Sequence, residues 1–165
     1  MKTTLIYKAI RQRLTAVSGL KLITYWNEQD TEGTIHTVPA VYIEFPEPAE
    51  METLGYDDYQ QADMRVRVHL YTKLLSLKDG SVPDALMEAH ENLAQQVFTA
   101  LHLHSAETAA GEPIYNSMMR SRFEFDMSSP GWAVTRQDFT CEAYQLKVED
   151  DYTMMSVPLE IEVVI

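Results

Sequence analysis

His102 and His104, one residue apart, form the best metal-ligand pair by residue type in this sequence. Zinc requires three or four converging ligands, and positions i and i+2 of a helix point to different sides. The preferred reading is two histidines near a helix C-terminus, where positive charge is favoured. Asp57-Asp58 and Glu149-Asp150-Asp151 carry carboxylates of the kind that hold Mg²⁺ or Ca²⁺. The calcium-loop spacing with its central glycine is absent, and solvated acidic turns are far commoner. Arg65, Arg67, Arg120 and Arg122 alternate along two strand-like segments beside Tyr71, the residue types of a small nucleic-acid patch. Against that stands cross-strand pairing with Glu124, Glu142, Glu160 and Glu162, which share the alternation. Cys141 lies between Phe139 and Ala143 on one strand face, which suits a buried small residue better than a nucleophile. There is no glycine-rich phosphate loop, no GxSxG elbow and no HExxH. No catalytic, cofactor-binding or metal residue is therefore assigned.

The charge balance favours the pairing reading of the arginines. With 25 acidic against 13 basic residues the net charge is −12, and a coat on nucleic acid or anionic lipid needs a cationic surface. One cysteine excludes an intrachain disulfide within these residues and points to a reducing compartment. The opening MKTTLIYKAIRQRL has Lys8, Arg11 and Arg13 inside what a signal peptide keeps apolar. No apolar run approaches the roughly 20 residues of a membrane helix, so a soluble cytoplasmic protein is expected.

A chain of 165 residues, 45% apolar, fits one domain with one core. Its organising element is the stretch 83–102. Leu86, Ala89, His90, Leu93, Ala94, Val97 and Leu101 repeat at helical spacing, with Ser81 as N-cap and Pro83 in the first turn. A first helix is predicted over 3–17, striped by Ile6, Ile10, Leu14 and Val17 and closed by Gly19. Strands are predicted over 20–26, 40–45, 60–74, 118–127, 139–148 and 157–165. In the third, Met64, Val66, Val68 and Leu70 alternate with Arg65, Arg67, His69 and Tyr71, predicting one buried and one wet face. Residues 105–113 read as a mobile connection, 128–136 as a turn around Pro130-Gly131, and 47–59 as an acidic loop or extended hairpin tip. The expectation is a single α+β domain over 1–165, order α-β-β-β-α-β-β-β. Its mostly antiparallel sheet is packed by two helices and carries a C-terminal strand at 157–165.

The ordered segments VPAVYIEF, ADMRVRVHLY, DALMEAHENLAQQVFTAL and TRQDFTCEAYQLKV resemble the bacteriophage tail terminator family. This group comprises the lambda minor tail protein U-like and related tail-completion or head–tail joining proteins. The resemblance covers roughly residues 1–148 and carries no catalytic or metal motif. The 47–59 loop and the segment 149–165 depart from the family's simplest members. The resemblance implies a subunit of a ring, often hexameric, at the head-proximal end of the tail tube. Such a ring stops tube polymerisation, contacts tube and neck or connector proteins, and belongs to a virion assembled in the bacterial cytoplasm. An acidic lumen would pass DNA without binding it specifically. Glu50, Glu52, Asp57 and Asp58 are the candidate interface residues, because their acids are too numerous for a minimal turn. Two other classes stay open: a metal-dependent enzyme using the clustered carboxylates, and a monomeric acidic adaptor.

Overall fold

In the computed structural model, residues 3–28, 37–46, 51–54, 59–128 and 130–146 are described. Two strands of 15 residues, β4 (Tyr59–Lys73) and β8 (Trp132–Leu146), lie antiparallel along their whole length. Their register runs without a break from Tyr59 opposite Leu146 to Lys73 opposite Trp132. Met64, Val66, Val68 and Leu70 of β4 and Phe139, Cys141 and Ala143 of β8 share one buried face. β-branched and aromatic side chains at every second position suit a half-buried pleated surface, which is why these segments become strands.

The outer edge of each long strand is covered in two pieces. On β4, β2 (Ala40–Glu44) pairs with one half and β3 (Met51–Leu54) with the other, both antiparallel. On β8, β6 (Pro113–Tyr115) and β7 (Met119–Asp126) divide the edge in the same way. Beyond them, β1 (Leu22–Tyr25) pairs parallel with β2, and β5 (Ala106–Glu107) antiparallel with β6. The resulting eight-stranded sheet has the order β1-β2-β4-β8-β6-β5, with β3 on β4 and β7 on β8. Each half of the chain supplies one helix and then four strands ending in one of the long pair, though β1 and β2 are parallel and β5 and β6 antiparallel.

Both helices cover one face of this sheet. α1 (Thr3–Leu14) buries Ile6, Tyr7, Ile10 and Leu14, and α2 (Asp84–Leu101) buries His90, Leu93, Ala94, Val97 and Leu101. The Arg13 guanidinium Nε donates to the Ala100 carbonyl at 2.9 Å and ties α1 to the last turn of α2. Fully burying aliphatic side chains of this size stabilises by about 1.5–3 kcal/mol each before entropy is counted. The architecture is the α+β domain expected, with two helices and a mostly antiparallel sheet.

Several boundaries differ from the sequence reading, each for a visible reason. α1 stops at Leu14 because the chain tightens, with the N–H groups of Ala16 and Val17 donating to carbonyls three residues back. Ser81 does not cap α2. Extended Pro83 occupies that position, and the Ser81 hydroxyl instead donates to the Asp79 carboxylate at 2.6 Å. The predicted turn at 128–136 ends at Gly131, because long-range pairing with β4 draws Trp132 to Arg136 into β8. Part of the 47–59 loop, Met51 to Leu54, is a strand of an antiparallel pair, and part of 105–113 is β5. The predicted strand 157–165 lies outside the described residues.

The second sheet face is not wet throughout. Tyr71 and His69 of β4 are buried there, in a small aromatic cluster with Tyr42, Trp26 and Trp132. The Trp26 ring stacks on His69 at 4.2 Å and lies edge-on to Tyr42 at 5.8 Å. The alternation seen in the sequence therefore separates two cores, a large one under the helices and a smaller one behind them.

Leu101 is fully buried where α2 meets both α1 and the sheet. Leu101→Ala is expected to cost about 2–5 kcal/mol in denaturant unfolding. A change below about 0.5 kcal/mol would mean the helix does not pack as described.

Candidate functional site

The residues singled out for chemistry do not converge. His102 closes α2 and its ring stacks on Phe98 at 4.7 Å, while His104 hydrogen-bonds the Tyr115 hydroxyl through Nδ1 at 2.9 Å. Leu103 between them takes a left-handed backbone (φ 61°), which turns the two rings apart. Burial, with the nearby charge of Arg13, lowers the His104 pKa, and burial raises that of Tyr115. Among the described residues no three of His, Cys, Asp and Glu are grouped to hold a metal ion. Cys141 is buried in the large core, and burial, then the charges of Asp63 and Glu142, push its thiol up to about 12. A thiol so held is a poor nucleophile at neutral pH.

The arginines are divided between the two faces. Arg67 makes a two-pronged pair with Asp138, Nε to Oδ1 at 2.7 Å and Nη2 to Oδ2 at 3.1 Å, and also reaches Glu44. Burial alone would raise the Asp138 carboxyl, but the hydrogen bond and charge of Arg67 hold it below its ordinary value. Arg136 bridges Glu124 and Asp126, and Arg122 pairs with Glu124 along its own strand. Glu142 takes its hydrogen bonds from Asn116 and Tyr144. Arg120 is not beside Arg122 on the outer face. A bulge between them sets Arg120 opposite Phe139 and Arg122 opposite Asp138. Arg120 therefore lies on the helix side, its guanidinium 3.9 Å over the Phe98 ring and 5.5 Å from Phe123.

Of the four interface candidates, Glu50, Asp57 and Asp58 lie outside the described residues. Glu52 is in β3, opposite Gln61 in the register. Glu149, Asp150, Asp151, Glu160 and Glu162 also lie outside them.

Two features were not read from the sequence. The first is a buried polar bridge between α2 and the sheet. His90 meets the Thr72 hydroxyl through Nδ1 at 2.7 Å and the Thr135 hydroxyl through Nε2 at 2.6 Å. One turn on, the Gln137 amide donates to the Ala94 carbonyl at 2.9 Å. The sequence signal was a histidine on an otherwise apolar helical stripe. The second feature is β7. It pairs with β8 on one side, and among the described residues its other edge pairs with nothing. Along it Phe123 and Phe125 are 53% and 40% exposed, opposite Gln137 and Thr135, while Met119 (48% exposed) stands opposite Thr140 on the other face. Two exposed phenylalanines on one face of an edge strand are a template for a covering partner.

The sequence matches no family model and no curated protein. The fold does have a counterpart among solved structures. It is similar to a chain of the structure described as the virion of a native gene transfer agent (GTA) particle, with a TM-score of 0.53 and 11% identity. The likeness covers 85% of this chain and 95% of that one. The two chains share a fold. No helix among the described residues is long and apolar enough to cross a membrane.

Burial lowers the His90 pKa from 6.5 to about 4, so the folded protein resists a proton that the unfolded chain accepts. Stability is therefore complete above about pH 6.5 and falls toward pH 4, by up to about 1.4 kcal/mol per pH unit. His90→Gln keeps polar atoms for both threonines but removes the titration. In denaturant unfolding at pH 7 and pH 5, the variant should lose less stability on acidification than the parent, by roughly 1–2 kcal/mol. An equal loss in both proteins would contradict the role given to His90.

Proposed function

We propose that this chain is a structural subunit of a phage or prophage virion, a tail terminator or head–tail joining protein. It forms a ring that ends tail-tube polymerisation and docks the tail to the neck. The observation that carries this reading is the likeness in fold to a chain of a gene transfer agent virion, extending over nearly the whole of both chains. The resemblance of residues 1–148 to tail terminators points the same way.

Three physical features support it. The charged side chains of the outer sheet face, Arg67 with Asp138 and Arg136 with Glu124 and Asp126, are held in local pairs. β7 has an apolar edge that needs a partner, and a head-to-tail contact repeated around a closed ring supplies one for every copy. A net charge of −12 lets DNA pass through such a ring without being held. The proposed ring is hexameric, its partners are the tube protein and the neck or connector proteins, and it assembles in the bacterial cytoplasm. Within it, Glu50, Glu52, Asp57 and Asp58 would contact an adjoining subunit or the next ring.

Light scattering on a sizing column from dilute to concentrated protein, with negative-stain images of the largest species, tests the ring. Closed rings with a central hole are expected, whereas a strict monomer at every concentration would count against it. Replacing the four acids together by serine should change the assembly while leaving subunit melting within a degree or so. Unchanged assembly would return the loop to a solvated tip.

A further inference from the structure

We propose that the free edge of β7 receives the segment 157–165 of a second copy of this chain as an added strand. The idea rests on the reading of the chain as a self-assembling subunit. An edge strand with unpaired N–H and C=O groups and alternating exposed side chains is a template for strand addition. The segment VPLEIEVVI has the required pattern. Val157, Leu159, Ile161, Val163 and Ile165 fall on one side at period two, with Glu160 and Glu162 on the other. Its nine residues match the eight of β7.

The faces also correspond. Phe123 and Phe125 stand opposite Gln137 and Thr135, whose side chains meet α2, so both phenylalanines lie on the helix side of the sheet. The apolar side of the segment would extend that surface and cover them. Glu160 and Glu162 would then fall on the outer face with Arg122, which pairs with Glu124 at 3.1 Å and keeps its side chain 62% exposed. Glu124 and Asp126 on the same face are already bridged by Arg136.

Reach favours a second copy over the same chain. β7 runs antiparallel to β8, so its Asp126 end lies beside Val134. At about 3.3 Å per residue, that point is roughly 40 Å along β8 from Leu146, and the receiving edge is offset by two strand spacings. Leu146 and Val157 are eleven residue steps apart, at most about 40 Å when fully extended, and β6 and β5 stand in the way. An antiparallel partner from the same chain would need a straight, fully extended link through those strands, whereas a neighbour's segment has no such limit; a same-chain strand added parallel is what an intramolecular loop in the test below would reveal.

Disulfide trapping in the full-length chain tests this. Arg122→Cys in one preparation and Glu160→Cys or Glu162→Cys in another are mixed and mildly oxidised. The wild type, with only its buried Cys141, is the control. A disulfide-linked dimer in at least one mixture and not in the control is expected, together with higher multimers when both cysteines are in one chain. No dimer in either mixture, or only an intramolecular loop in the double variant, would overturn the proposal. As a second measurement, Ile161→Asp should leave the melting temperature unchanged while weakening self-association about tenfold or more by light scattering. Unchanged association would overturn it as well. Rings without the cross-link would sink this contact but keep the proposed function. Open cross-linked chains without rings would do the reverse.

Discussion

The unbroken antiparallel register between β4 and β8 is the constraint on which the rest of the domain depends. Because Leu70 faces Thr135 and Val66 faces Phe139, every side chain of the two strands is assigned to a face at once. A slip of β4 by one residue would turn Val66 and Val68 out of the main core and put Arg67 into it, and a slip of β8 would do the same to Phe139 and Asp138. The specific side-chain contacts enforce this register from both faces. On one side His90 holds Thr72 of β4 and Thr135 of β8 together. On the other, Arg67 and Asp138, directly opposite in the register, close with two hydrogen bonds. Removing the partner of a buried charge of this kind is costly, so the pair opposes misregistered alternatives.

The buried polar side chains are taken up inside the domain. The polar side chains that penetrate the domain bridge its layers, as His90 and Gln137 do, or neutralise each other, as Arg67 and Asp138 do. β7 is the exception, because its outward edge pairs with nothing among the described residues and Phe123 and Phe125, in contact with Arg120 and His90, stay about half exposed. A subunit whose remaining potential lies at a strand edge is suited to assembly, and a virion ring is one setting in which such an edge is always covered. Its acidity is compatible with DNA moving past without specific contact.

Much of this was legible in the sequence. Period-two alternation marked β4, and period 3.6 marked both helices, since burial on one face leaves the same trace wherever it occurs. The stripe Leu93, Val97, Leu101 is the one that α2 buries. What was hidden came from partners far away in the chain. Trp132 to Arg136 looked like the tail of a turn, because only pairing with β4 makes it a strand. His69 and Tyr71 looked wet, because Trp26 and Tyr42, which cover them, are supplied by a distant segment. The bulge near Ser121 hid the true side of Arg120, since an extra residue shifts the alternation without changing its appearance. As for the candidate site, the histidines at a helix C-terminus and the pairing of arginines with acids were legible, but the partner of Arg67, Asp138, and the stacking of His102 on Phe98 were not, because both depend on the fold. The apolar edge of β7 was not seen, because Phe123 and Phe125 look like ordinary core residues until the absence of a covering layer is known.

The most direct test of the central claim is the length of tails made without this chain. If the proposed tail-ending role holds, deletion of the gene from its source genome should leave filled heads apart from tail tubes longer than those of the parent, as seen by electron microscopy. Supplying the chain in trans should restore joined particles of normal length. Joined, infectious particles with tails of unchanged length in the deletion would contradict the account.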